Sequence, residues 1–260
     1  MKKYLALTKL SFQEDLFYRV NFLFYFLRQI LWFLVEIILW QVVFQTQTTI
    51  AGYNYRQIFQ YFLIIYLVRI ISATGVDSHL AEMVRTGGLS KYLLRPISFF
   101  WAVFFHQLGR KLARFIYLII FFLALIILGE LKISLVRLFI FGVIFVNAIL
   151  LSFIYRFLLG NLAFWLINIS SILWFFRQGA DFLAGGWLPL SFFPDWAKQA
   201  LRSLPFYLAL GFPAEFFQGS LSLNSAMIRI GQQLAWILGL FFLAAFSWYR
   251  GVRKYEAVGN

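Results

Sequence analysis

The sequence predicts an all-α integral membrane protein forming a single transmembrane domain over residues 1–260, and three observations predict it. Of the 260 residues, 62% are hydrophobic, and the mean hydropathy is +0.81. Several apolar runs reach about 20 residues, the length that carries a helix across a ~30 Å hydrocarbon core. The basic residues gather at the ends of those runs, and they do so unevenly. With the N-terminus inside, Lys2, Lys3, Lys9, Arg19, Arg85, Lys91, Arg95, Arg110, Lys111, Arg114, Arg156, Arg250, Arg253 and Lys254 fall on the cytoplasmic side. Arg56, Lys132, Arg137, Lys198, Arg202 and Arg229 fall outside. This excess of fourteen over six predicts six transmembrane helices with both termini in the cytoplasm.

In chain order, residues 2–20 read as a helix lying in the inner interface. Leu5, Phe12 and Leu16 fall near one face, while Lys2, Lys3, Lys9 and Arg19 reach headgroups or water. Lys9, Glu14 and Asp15 interrupt any apolar core that a cleavable signal would need. The first span is expected at 22–44 and carries Arg28, Glu36 and Gln41, which are costly in lipid unless they face protein or water. Thr46–Arg56 is a short polar loop. The second span, 57–76, has Arg69 near enough to its inner end to snorkel.

Residues 82–98, EMVRTGGLSKYLLRPIS, are the longest break in the apolar text before the final third. The pair Gly87-Gly88 lets the backbone turn, and Pro96 disfavours helix at Arg95. Between these breakers, Leu89–Leu94 is long enough for a short basic helix on which Leu89 and Leu93 share a face. Such a helix is either a handle for a soluble partner or an ordinary cytoplasmic loop.

The run 99–128 is too long for a simple span. Phe99–Gln107 reads as an aromatic extension, and the third span as 112–128, closed by the turn Gly129-Glu130-Leu131-Lys132. The fourth span is 135–155, and Gly160-Asn161 turns the chain into a fifth at 162–183. Pro189, Pro194, Pro205 and Pro213 then break an outer re-entrant segment, 185–224. Pro194-Asp195 and Pro213-Ala214-Glu215 start two half-helices in it, provided protein shields their ends. The sixth span is 230–249.

The residue inventory excludes most catalysis. There is no cysteine, hence no disulfide, thiol nucleophile or thiolate metal site. His79 and His106 have no metal-binding spacing, and no metal is expected. No glycine precedes a lysine, so a Walker A phosphate loop is missing and the chain cannot hydrolyse ATP by that route alone. Neither a GxSxG elbow nor a GxGD dyad occurs; Gly179-Ala180-Asp181 lacks the first glycine of the latter. The net charge of +13 is explained by orientation and anionic headgroups, so no nucleic-acid partner is implied.

What remains are polar residues inside spans. Glu36 and Arg28 lie on facing sides of the first span and have Arg177 and Asp181 as possible partners; with Arg69 these are the intramembrane polar candidates, either as functional groups or as interhelical glue. Asn161, Asn168 and Ser171, with Trp165 adjoining, fall near one face of the expected fifth span. That stripe either lines a pathway or hydrogen-bonds another helix.

The stretch Arg85-Thr86-Gly87-Gly88-Leu89-Ser90-Lys91-Tyr92-Leu93-Leu94-Arg95-Pro96-Ile97 closely resembles the first cytoplasmic loop of type-2 ABC exporter permeases, specifically the six-span bacterial multidrug-type group. Leu204-Pro205-Phe206, Phe212-Pro213 before Gly219, and the ending Arg250-Gly251-Val252-Arg253-Lys254-Tyr255-Glu256-Ala257 match in the same order, over nearly the whole chain. The resemblance implies an in-plane N-terminal helix, a coupling helix in the 82–98 loop and outer re-entrant helices before the last span. It implies that Arg85, Gly87, Gly88, Leu89, Lys91, Leu93, Leu94, Arg95 and Pro96 meet an ATPase. It further implies a homo- or heterodimer of permeases in the bacterial cytoplasmic membrane, bound to two separately encoded ATPase subunits that hold the ATP and Mg, with a pathway lined by the second and fifth spans. No cofactor belongs to this chain, and the substrate does not carry over. An ion-coupled secondary transporter using Glu36 or Asp181, and a membrane assembly protein that transports nothing, are the alternatives.

Overall fold

The computed structural model describes residues 2–17, 19–72, 74–127, 134–166 and 168–255, excepting the side chains of 16, 19–22, 25–26, 113–114 and 116–127. Among these residues the fold is helical throughout. In order come α1 (Lys2–Phe17), α2 (Arg19–Val43), α3 (Tyr55–Ser72), α4 (Val76–Arg85), α5 (Ser90–Leu93) and α6 (Phe99–Ile127). There follow α7 (Leu135–Gly160), α8 (Ser170–Leu183), α9 (Asp195–Ser203), α10 (Pro205–Ala209), α11 (Gly211–Phe217) and α12 (Leu223–Lys254). Short 3-10 turns occupy Asn161–Phe164 and Leu190–Phe192. Among the described residues, three helical stretches are long and apolar enough to cross a membrane: Tyr55–Arg85, Leu135–Phe164 and Leu223–Lys254. With 25 and 29 residues, α2 and α6 are about 37 and 44 Å long.

Local chemistry explains where the long helices begin. At the start of α3, Gln57 N donates to Asn54 Oδ1 and Asn54 N donates to Gln57 Oε1, both at 2.9 Å. This reciprocal box satisfies two backbone donors that the first turn leaves free. Ser134 caps α7 by accepting from Arg137 N, and Ser222 caps α12 by accepting from Ser225 N.

The core is built around α3. Ile58, Tyr61, Phe62, Ile65, Val68 and Ile71 are all fully buried, because α2, α6, α7 and α11 surround this helix. Between α3 and α4 the helix is interrupted, which frees carbonyls in the middle of the molecule. Two cations cover them: Lys111 Nζ donates to Ile71 O at 2.6 Å, and Arg156 Nη1 donates to Thr74 O at 3.2 Å. A cation on the open C-terminal end of a helix also complements its dipole. Lys111 is therefore buried in protein.

The N-terminal helix lies along the first part of α6 with a face the leucine pattern does not predict. Thr8 Oγ1 donates to Phe105 O, the Tyr4 ring stacks on Phe105, and Asp15 meets Arg110 at 3.1 Å. A Cβ on Gly109 would sit 2.2 Å from Thr8 O, so the two backbones touch there. Small and polar residues make this seam because close approach needs them, while Leu5 is 55% exposed. Leu16 and Arg19 lie outside the described side chains.

Two expectations about spans are corrected. No continuous helix covers 162–183; the chain turns through Asn161–Phe164, leaves regular structure, and restarts as α8 at Ser170. With 14 residues, α8 is about 21 Å long, shorter than a hydrocarbon core. The second correction concerns the proline-rich segment, which forms three short helices rather than two. Asp195 does open α9 behind Pro194, but Pro213 sits inside α11, and α10 opens at Pro205. Tyr207, Leu208, Phe212, Ala214 and Phe216 are fully buried, so α10 and α11 fold back into the molecule. Most side chains of the expected third span, its closing turn Gly129-Glu130-Leu131-Lys132, and Glu256 and Ala257 lie outside the described residues.

Candidate functional site

Two places concentrate the sequence-predicted residues, one at the 82–98 end of the molecule and one in its flank. At the end, α4 stops at Arg85, and Gly87 makes the turn with φ +74. Gly88 does not need that freedom, since a Cβ there would meet only ordinary contacts, the nearest being Thr86 Oγ1 at 3.5 Å. Leu89 precedes the four-residue helix α5 and is 0% exposed, buried in the same core as Met83 and Phe99. Tyr92 packs edge-on against Phe99, and Ser90 Oγ lies 3.1 Å from Tyr255 Oη after α12.

The inward face of α5 is thus Leu89 with Tyr92, three residues apart, and not Leu89 with Leu93. The expectation that Leu89 and Leu93 project together is corrected: with so short a helix, one side must serve as the foundation. Outside are Lys91, Arg95, Pro96, Leu93 at 42% and Leu94 at 86% exposed. Arg85, also exposed, is held by Glu82 at 3.2 Å. Lys3 Nζ donates to Pro96 O, and Ser98 N donates to Tyr4 Oη, so α1 braces the far end of this loop. Phe99 stacks on Trp248 at 4.9 Å with an interplanar angle of 3°, tying the loop's exit to α12.

In the flank, α2, α3, α8 and the turn after α8 enclose a groove of 590 Å³. Its polar lining is Gln29, Glu36, Tyr66, Arg69, Gln178 and Asp181, and its apolar walls include Trp32, Trp40 and Trp187. Arg69 Nε lies 3.3 Å from Asp181 Oδ2, and Arg69 Nη2 donates to Gly186 O at 3.0 Å. Gly186 is required there, because a Cβ would come within 2.8 Å of both Arg69 Nη2 and Asp181 O. Glu36 and Tyr66 share the groove lining, and the Arg69 guanidinium lies 5.0 Å from the Tyr66 ring centre. Arg69 and Asp181 also wall a small polar chamber of 40 Å³ shared with Ser152, Tyr155 and Arg156.

A second ion pair joins α8 to α4. Arg177 Nε is 2.9 Å from Asp77 Oδ2, and Arg177 Nη2 donates to Ser78 Oγ. In both pairs the Nε is close to the carboxylate without a directed N–H···O bond, so the attraction is chiefly coulombic. Asp77 is fully buried, seated where α4 crosses α7: a Cβ on Gly160 would lie 3.0 Å from Asp77 Cα.

Glu36, Arg69 and Asp181 are therefore brought together, while Arg177 meets Asp77 instead. Arg28 lies on the exposed surface of α2, outside the groove lining. The stripe Asn161, Trp165, Asn168 and Ser171 is dispersed by the break before α8. Asn161 is fully buried and donates to Ala244 O at 3.1 Å; Asn168 is exposed and accepts from Ser170 N. Ser171 is exposed, and Trp165 lines a separate apolar cleft of 750 Å³ with Phe176, Phe246 and Arg250.

Asp77, Tyr66 and Gln178 were not singled out from sequence. Asp77 carried one legible signal, an acid in the first turn of a helical stretch, but not the identity of its partner. Glu215 was also missed: it is buried and accepts from Tyr207 Oη at 2.8 Å and Arg202 Nη2 at 3.3 Å, a structural knot beneath α9. Among the described residues no group of three metal-ligating side chains occurs. His106 faces Glu14 at 3.7 Å, and burial, with Arg110 beside it, holds its imidazole below the usual range.

A family model described as ABC-2 family transporter protein matches residues 30–259. No curated protein matches the chain. The chain belongs to the ABC-2 transporter family, and is thus the permease of an ABC transporter, a membrane transport component.

Proposed function

We propose that this permease is one half of a dimeric exporter, driven by ATP hydrolysed on separate ATPase subunits, that moves a hydrophobic or amphipathic substrate out across the bacterial cytoplasmic membrane. The observation that carries this reading is the outer face of α5. Leu93 and Leu94 stand exposed between Lys91 and Arg95, while Leu89 and Tyr92 fasten the same short helix to the core. An apolar knob on a rigid base, ringed by bases, suits a groove with an acidic rim on a soluble partner; buried apolar anchors carry most of the energy of such contacts.

The groove and the chamber behind it are both lined from α3 and α8, which correspond to the second and fifth crossings. Six crossings, by α2, α3 with α4, α6, α7, α8 and α12, give both termini to the cytoplasm. On that orientation the short α8 completes its crossing through the segment after Leu183, where Tyr61 and Arg69 of α3 donate to the Gly185 and Gly186 carbonyls. ATP-driven movement of α5 would then be transmitted through α4 to the Asp77–Arg177 and Arg69–Asp181 pairs.

Co-purification of the tagged permease with an ABC ATPase from its own host tests this. Wild-type protein is expected to retain the ATPase and Leu94→Asp to lose it while remaining folded by size-exclusion chromatography. Substrate uptake by the isolated chain, driven by a proton gradient, would overturn the reading in favour of a secondary transporter. Failure of wild-type protein to bind the ATPase would leave an assembly role.

A further inference from the structure

We propose that the groove between α2, α3 and α8 is a binding site for an amphipathic organic cation, an amine or quaternary ammonium carried on an apolar body. The inference rests on the permease reading above and deepens it by naming the substrate class. Charge is the first argument. In a chain with a net charge of +13, the groove's ionisable lining of Glu36, Arg69 and Asp181 sums to one negative charge. The polar chamber behind it and the cleft at Trp165 each have a net positive lining.

The second argument is that Glu36 stands apart from the other carboxylates. Each of the other described Asp and Glu residues has a basic side chain within 2.9–3.7 Å. Among the described residues Glu36 has no such partner, and Arg69 in the same lining is already engaged by Asp181 and the Gly186 carbonyl. A carboxylate in an apolar wall is costly unless a counter-charge arrives. The groove provides for one: Trp32 and Trp187 both line it and are 61% and 52% exposed, aromatic surface of the kind that attracts a cation. Its 590 Å³ matches a drug-sized ligand, and Gln29 and Gln178 add neutral hydrogen-bonding groups.

Two ions of nearly equal size and shape but opposite charge separate charge selectivity from simple lipophilicity. Radiolabelled tetraphenylphosphonium and tetraphenylborate would be titrated against the full-length permease in nanodiscs, purified together with its ATPase. Saturable binding is expected for tetraphenylphosphonium only, weakened at least tenfold by Glu36→Gln and at least threefold by Trp187→Ala. Should Glu36→Gln fail to fold, the Trp187→Ala and Trp32→Ala titrations carry the test, since both side chains are largely exposed. Equal binding of the two ions, or unchanged tetraphenylphosphonium affinity in the variants that fold, would overturn the proposal. Retention of the ATPase is read in the same preparation: wild-type retention without cation binding sinks this inference alone, whereas loss of the ATPase sinks the permease reading beneath it.

Discussion

Asp77 and Arg177 meet at 2.9 Å, one fully buried in α4 and the other projecting from α8, and Ser78 accepts a further bond from the same guanidinium. Together with Arg69–Asp181 this makes two ion pairs that hold α3 and α4 to a helix too short to cross the membrane unaided. The pair turns a local charge into a fastening between distant parts of the chain.

Removing one partner should cost more than removing both. Breaking a buried pair leaves an uncompensated charge and costs about 3–5 kcal/mol, whereas apolar replacement of the two together is close to neutral. Arg177→Leu should therefore lower the melting temperature in detergent clearly, and Asp77→Leu/Arg177→Leu should recover most of the loss. A double variant no more stable than Arg177→Leu would show that the pair does not fasten α8.

The two leucines of the α5 region should separate stability from partner binding. Leu89→Ala empties a fully buried site and is expected to cost about 2–5 kcal/mol. Leu94→Asp changes a residue 86% exposed and should leave the melting temperature within experimental scatter while abolishing ATPase retention. Thermal melts and pull-downs on the same preparations would check both, and the reverse pattern would move the contact elsewhere.

The paired glycines should respond differently. Gly87 has φ +74, so an alanine there costs about 1–2 kcal/mol, while Gly88→Ala meets no close contact and should be nearly silent. Denaturation midpoints of the two variants would compare them directly.

Gly109→Val should detach α1. The new Cβ would overlap the Thr8 carbonyl at 2.2 Å, and backbone cannot yield as a flexible side chain can. The chain has no native cysteine, so a bifunctional thiol reagent can report on Tyr4→Cys with Phe105→Cys, whose native rings stack at 5.5 Å. Cross-linking is expected without Gly109→Val and lost with it.

Orientation can be read with single cysteines and an impermeant thiol reagent on intact cells. Gln47→Cys and Gln199→Cys, both at exposed positions, should label; Lys91→Cys should not. Labelling at Lys91 from outside would reverse the topology and exclude contact between α5 and a cytoplasmic ATPase.

How much was legible in the sequence divides along physical lines. Membrane character and the helical nature of the long apolar runs are written in their length, because a bilayer demands it of each helix separately. The breakers at Gly87 and Pro96, and the start of α9 behind Pro194, follow from the conformational limits of single residues and were equally readable. Residues 85–97 resembled a family that the match over 30–259 establishes.

Tertiary structure alone decided the rest. Spacing paired Leu89 with Leu93, whereas the structure turns Leu89 and Tyr92 inward and leaves Leu93 exposed, because Phe99, stacked on Trp248, takes the Tyr92 side. The stripe at Asn161, Asn168 and Ser171 presumed an unbroken helix, and the break before Ser170 scattered it. Glu36 came to share a groove with Arg69 and Asp181, while Arg177 went to Asp77. Charge partners are chosen by which helices pack together, and no periodicity along one helix records the identity of its neighbours.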